Sequence, residues 1–164
     1  MTNNNTNQTE VNMQDREIVI NRTLNAPREL VWEAWTRPEH LNHWWGPEGF
    51  TITLQEFELK TGGVWKYVMH GPDGVDYPNH NVFIEVRQPE RLVYSAGDGD
   101  EDSPGQFQTT VTFAEEGVKT LVNMRMLFKT AEERNYVVKE YGAIEGGNQT
   151  LDRLEKLLAS LQVR

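Results

Sequence analysis

The sequence predicts an α+β domain in which seven antiparallel strands form a sheet whose buried face is covered by one long C-terminal helix. Three observations carry this reading. Between Phe50 and Phe128 the apolar residues recur with a period of two, broken by compact turn signals. From about 141 to 162, Ile144, Gly147, Leu151, Leu154, Leu158 and Leu161 follow i, i+3, i+4 spacing, the mark of a helix with one apolar face. A single β-branched strand and two short helical segments come before the sheet region.

Residues 1–15 are polar and rich in Asn and Thr, with Val11 and Met13 as the sizeable apolar groups; such a stretch buries too little to offset its ordering entropy, so it reads as a disordered tail. The domain is expected from 16 to 164, without internal repeats. Glu17 to Leu24 is β-branched and reads as the first strand. Asn25-Ala26-Pro27 ends it and opens a helix that runs to about Thr36, with Leu30, Val31, Ala34 and Trp35 on its apolar side. Pro38 starts a second short helix carrying Leu41 and Trp44-Trp45, which Gly46-Pro47 breaks. Six strands follow, at 50–58, 64–70, 76–87, 91–97, 106–114 and 119–128. They are separated by Thr61-Gly62-Gly63, Gly71-Pro72-Asp73-Gly74, Gln88-Pro89-Glu90, the acidic loop 97–105 and Glu115-Glu116-Gly117. A short helix or turn is expected around 130–138. Consecutive hairpins imply an antiparallel sheet with one buried face, and the long helix is available to cover it.

Composition narrows the function. The chain has 164 residues, a net charge of −9 and no cysteine. One domain of that size buries enough surface for a substantial core. The negative balance repels phosphates, so neither nucleic acid nor an anionic membrane is expected as partner. No apolar run reaches 18 residues, and the N-terminus lacks the basic start and apolar stretch of a signal peptide; a cytoplasmic location is the expectation.

Several stretches, taken together and in order, resemble one family. They are Val31-Trp32-Glu33-Ala34-Trp35-Thr36, His43-Trp44-Trp45-Gly46-Pro47, Gly62-Gly63-Val64-Trp65, Met69-His70-Gly71-Pro72-Asp73-Gly74, Pro89-Glu90-Arg91-Leu92-Val93 and Gln149-Thr150-Leu151-Asp152-Arg153-Leu154. The resemblance is to the homologues of the activator of heat-shock-protein-90 ATPase, in their short bacterial form, within the START-like (SRPBCC) superfamily. It covers Glu17 to Leu161. It implies a helix-grip fold, Bet v-like, with a cavity between the sheet and the C-terminal helix. The chaperone activity is not carried over with the name, because the eukaryotic activators owe much of it to a separate N-terminal domain.

Turn geometry gives the cavity face. A two-residue turn at Glu116-Gly117 would pair Phe113 with Thr120, Val111 with Val122, Thr109 with Met124 and Phe107 with Met126. Phe107, Val111, Phe113, Val122, Met124 and Met126 then share one side, with Lys119 and Arg125 on the other. In the third strand Trp65, Tyr67 and Met69 alternate with Lys66, so the aromatic set belongs inside. A two-residue turn at Asp73 would bring His80 opposite Tyr67 and Val82 opposite Trp65, a parity that one residue more or less in the loop reverses. Trp35 and Leu151 complete the wall from the helices. Trp44 and Trp45 are adjacent and point apart, so which of them turns inward stays open. Gly146 and Gly147 each cost about 1 kcal/mol against alanine inside a helix, so close packing or space for a ligand should compensate. An aromatic stripe is commonly plain core, but one helix on a curved sheet leaves a wedge that suits a small apolar ligand.

No nucleophile elbow, zinc-protease signature, phosphate loop or dinucleotide fingerprint is present. His40 and His43 stand at i, i+3 but lack a third ligand at fixed spacing. Asp98-Gly99-Asp100-Glu101-Asp102 begins like a calcium loop, yet Ser103 and Thr109 occupy its glycine and glutamate positions. No metal and no cofactor is expected. Tyr67, His70, His80 and Glu85 are the polar groups placed nearest the cavity. The resulting expectation is a non-catalytic binder of a small hydrophobic or aromatic molecule, oriented by Tyr67 or His80. Its alternatives are an aromatase- or cyclase-like enzyme on a polyketide-like substrate, and a chaperone-linked interaction module, which a homodimer would also fit.

Overall fold

The computed structural model describes residues 8–11, 16–97 and 106–162. The chain runs β1 (Gln8–Val11), β2 (Glu17–Leu24), α1 (Arg28–Thr36), α2 (Pro38–Trp44), β3 (Thr51–Phe57), β4 (Val64–His70), β5 (Asp76–Arg87), β6 (Arg91–Ala96), β7 (Phe107–Glu116), β8 (Lys119–Phe128), α3 (Ala131–Tyr141) and α4 (Ala143–Gln162). The strands form one antiparallel sheet in the order β1-β2-β8-β7-β6-β5-β4-β3. Seven are the expected strands. The eighth, β1, lies within the stretch read as a tail: its backbone pairs with β2 from Gln8↔Asn21 to Val11↔Ile18. Composition missed it because a sheet edge offers unpaired backbone groups that a polar segment can satisfy without a core of its own.

Local chemistry sets the helix ends. Pro38 is the first residue of α2, where its missing N–H costs nothing. Thr130 caps α3, its hydroxyl accepting from the Glu133 N–H. Gly142, with φ +58°, ends α3 in the left-handed conformation and serves as the single-residue joint to α4.

α4 is pinned against β2. Gly147 packs on Ile20, where an added Cβ would lie 2.7 Å from Ile20 Cδ1, and a Cβ on Gly146 would lie 3.3 Å from Pro47 Cγ. Close packing is thus what compensates the two helical glycines. β-Bulges at Leu54/Glu56 in β3 and Phe83/Glu85 in β5 interrupt the ladder on the far side of the sheet, and bulges bend and twist the strand that carries them. Between these limits lies the core, with Ile18, Ile20, Trp35, Trp65, Val111, Val122, Leu151 and Leu154 all buried.

Candidate functional site

The register decides which side chains share the concave face. β7 and β8 pair as Phe107↔Phe128, Thr109↔Met126, Val111↔Met124 and Phe113↔Val122 around a Gly117-Val118 turn. Every pair sits two residues from the expected one. Because two residues is a full strand period, the face assignment survives and Phe107, Val111, Phe113, Val122, Met124 and Met126 do share a side.

The β4–β5 hairpin differs by an odd number. Its loop has five residues, Gly71 to Val75, so His70 faces Asp76, Tyr67 faces Asn79 and Trp65 faces Asn81. His80 is opposite Lys66 and Val82 opposite Val64, which puts both on the convex face with Lys66, not in the cavity wall. Tyr77, Asn79, Asn81 and Phe83 take the inward positions instead. A turn with glycines at Gly71 and Gly74, the latter at φ +86°, was the available signal for a longer loop.

Around Trp65 the inward groups make an aromatic cluster. Its ring stacks with Phe83 at 5.9 Å and meets Tyr94 edge-on at 5.2 Å, Trp45 at 4.8 Å and Tyr67 at 5.3 Å. Trp44 and Trp45 take different partners, although their rings still meet edge-on at 5.1 Å. Trp44 is buried between α1 and α2, its indole N–H donating to Ala34 O and its ring 4.8 Å from Trp35. Trp45 turns to the sheet, donating from Nε1 to the Tyr67 hydroxyl at 2.8 Å. Trp35 and Leu151 are fully buried; Trp35 packs on Trp44 and Phe113.

Polar groups are few and specific. Asn81 is 1% exposed and hydrogen-bonds to Tyr67, and Tyr94 hydrogen-bonds to Thr109. Burial pushes the Tyr67 phenol up to about 12, against the hydrogen bonds from Trp45 and Asn81 that favour its ionised form. Tyr94 is pushed upward too, by burial first and then by Tyr67 beside it. On this face Trp65 Nε1 and Asn81 Oδ1 are buried without a protein partner, and Trp35 Nε1, on the α1 side of the same cluster, is another such atom. Towards the edges of the face Met69, Tyr77, Asn79, Ala96, Phe107 and Met124 are only half-buried and keep contact with solvent.

Sequence reasoning did not find Asn81, Phe83, Tyr94 or Thr109. The first two followed from the wrong hairpin parity. Tyr94 and Thr109 sit on strands whose inward set was legible, but nothing local marks their hydroxyl partners. The other polar candidates lie elsewhere. His70 is on the convex face, Nδ1 2.8 Å from Asp76 and Nε2 2.7 Å from Thr53 Oγ1. Glu85 pairs with Arg87 and Arg91.

Among the described residues, two open depressions stand out on the outer surface. One, of about 570 Å³, runs between α2 and α4 and is lined by His43, Glu48, Arg153, Lys156, Leu157 and Ser160. The other, about 290 Å³, lies at the strand ends beside Arg16, Phe107, Phe128 and Lys129. Neither is lined by Trp65, Tyr67 or Asn81. Among the described residues no three His, Asp or Glu side chains converge to hold a metal ion, and no helix is long and apolar enough to cross a membrane. Asp98 to Asp102 lie outside the described residues.

Solved structures share this architecture. A protein from Arthrobacter aurescens superposes with a TM-score of 0.87 at 24% identity, over 95% of this chain and 93% of its own. One from Mycobacterium smegmatis gives 0.85 at 25% identity, over 94% and 98%. CalU16 from Micromonospora echinospora is more distant, with a TM-score of 0.60 and 20% identity over 87% of this chain and 75% of its own. Comparison with curated proteins gives no match. The profile of the Activator of Hsp90 ATPase homolog 1-like proteins matches residues 25–159, from the strand–helix turn into the last turn of the gripped helix, and the chain belongs to that family.

Proposed function

We propose that this protein binds a small hydrophobic or aromatic molecule on the concave face beneath α4 and does not transform it. The observation that carries the reading is that cross-strand neighbours Trp65 and Asn81 leave Nε1 and Oδ1, both buried, without a protein partner within an aromatic wall. A buried polar atom left unpaired costs about 1–3 kcal/mol. A ligand that reaches these atoms removes that cost while burying its own rings. The half-buried Met69, Tyr77, Phe107 and Met124 supply the apolar surface it would cover, and Trp45, half-buried over Trp65, is the ring that would have to move aside.

Catalysis by Tyr67 with His80 loses its basis, because the two side chains lie on opposite faces of the sheet. Tyr67 is moreover held neutral by burial, which suits a hydrogen-bonding anchor and not a base.

The test is thermal unfolding and intrinsic tryptophan fluorescence against a panel of flat hydrophobic compounds. Binding to the folded state must raise the unfolding temperature. A saturable rise together with a fluorescence change that the Trp45→Phe variant diminishes is the expected result. A flat response across the panel would remove the proposal.

A further inference from the structure

Trp65 Nε1 and Asn81 Oδ1 are orphaned atoms of opposite kind, and the register puts their residues side by side. Trp65 and Asn81 are direct partners across β4 and β5 and project to the same face. An indole nitrogen only donates, whereas a carboxamide oxygen only accepts. Both residues are 1% exposed. The Asn81 amide hydrogen-bonds to the Tyr67 hydroxyl, which leaves Asn81 Oδ1 as its free end.

Charge at this point is disfavoured. The cation that the sheet register places on the same face, Arg22 of β2, is already committed to Asp152 at 2.9 Å and Glu155 at 3.2 Å. Tyr67 and Tyr94 flank Trp65, and burial raises both phenols, which reports the same penalty on an anion.

We infer that the ligand is an uncharged, flat molecule with a hydroxyl group, which accepts a hydrogen bond from Trp65 Nε1–H and donates one to Asn81 Oδ1. This rests on the binding reading above and names the chemistry that the same face selects. A hydroxyl is the smallest group that satisfies a lone donor and a lone acceptor together. An ether or ketone oxygen answers Trp65 and leaves Asn81 unpaired, and an unsubstituted ring answers neither.

Isothermal titration calorimetry of the full chain with 2-naphthol and 2-methoxynaphthalene separates the possibilities. The naphthol is expected to bind about tenfold more tightly, the ratio that one unpaired buried acceptor predicts. In Asn81→Leu that preference should collapse to about twofold or less, with 2-methoxynaphthalene binding unchanged. Trp65→Phe, which keeps the ring packing, should weaken both probes alike and serves as the second variant if Asn81→Leu does not fold. Equal affinity of the two probes for the wild type would overturn the hydroxyl inference and leave hydrophobic binding standing. Binding of neither would overturn both.

Discussion

Arg22 on β2 and Asp152 on α4 are joined by a 2.9 Å ion pair whose cation is buried and whose carboxylate is half-exposed, 7% against 52% of the side chain. Glu155, one turn further, adds a second contact at 3.2 Å, and Asn148 O lies 3.3 Å from the guanidinium. The pair fastens the gripped helix to the sheet, and its two halves are not equivalent. Stranding a buried cation is costly, whereas a stranded surface carboxylate is rehydrated. Asp152→Asn with Glu155→Gln should therefore destabilise by about 3–5 kcal/mol. Arg22→Met, which removes the buried charge and keeps most of the stem, should cost about 1–2 kcal/mol. Urea unfolding of the two variants measures the asymmetry. Equal losses would mean that the guanidinium reaches water.

Alkaline stability should depend on Tyr67. Its phenol has a folded value of about 12 against an ordinary 10.0. Between those limits the unfolded chain loses this proton and the folded chain keeps it, so stability is fully present below pH 10 and falls as pH rises towards 12. The size is about 2–3 kcal/mol over that window. Tyr94 shifts in the same direction and adds to the slope. Tyr67→Phe should flatten the decline of the urea midpoint between pH 9.5 and 11.5. Parallel curves for the variant and the wild type would show that Tyr67 ionises freely in the fold.

Most of the fold was legible because strand and helix periods are local properties. The expected strands at 64–70, 76–87 and 119–128 coincide with β4, β5 and β8. Face assignment was less secure, for it depends on how many residues each turn consumes. At β7–β8 the error was two residues and changed nothing; at β4–β5 it was one, and it exchanged His80 and Val82 for Asn79 and Asn81. The partnerships of Arg22 and Arg153 were out of reach, since each joins segments more than a hundred residues apart.

Gly147 and Ile20 should be energetically coupled. An alanine in place of Gly147 gains about 1 kcal/mol of helix propensity. In the wild type its Cβ would press on Cδ1 of the fully buried Ile20, 2.7 Å away. That gain should be mostly absent for Gly147→Ala alone and should reappear in the Ile20→Val background, where the methyl is gone. A double-mutant cycle reads the coupling as about 1 kcal/mol. Additive effects would mean that Ile20 rotates away without strain.

Arg153 explains why two distant motifs occur together. From the turn of α4 that follows Asp152, its Nη1 donates to the carbonyls of Gly46 at 2.8 Å, Pro47 at 3.1 Å and Phe50 at 3.2 Å, and Nη2 reaches His43 O. Gln149 Oε1 accepts from the Glu48 N–H in the same place. This segment directly follows Trp45, so the guanidinium sets the position of the indole that holds Tyr67. Hydrogen bonds to a charged group contribute about 1.5–3 kcal/mol, and a lysine ammonium cannot span four carbonyls from one point. Arg153→Lys should then recover less than half of the stability lost in Arg153→Met. Both variants should speed amide hydrogen exchange at residues 45–50 and alter the Trp45 contribution to the fluorescence, while β7 and β8 keep their protection. If exchange rises equally across the whole sheet, Arg153 supports the global fold and not the placement of Trp45.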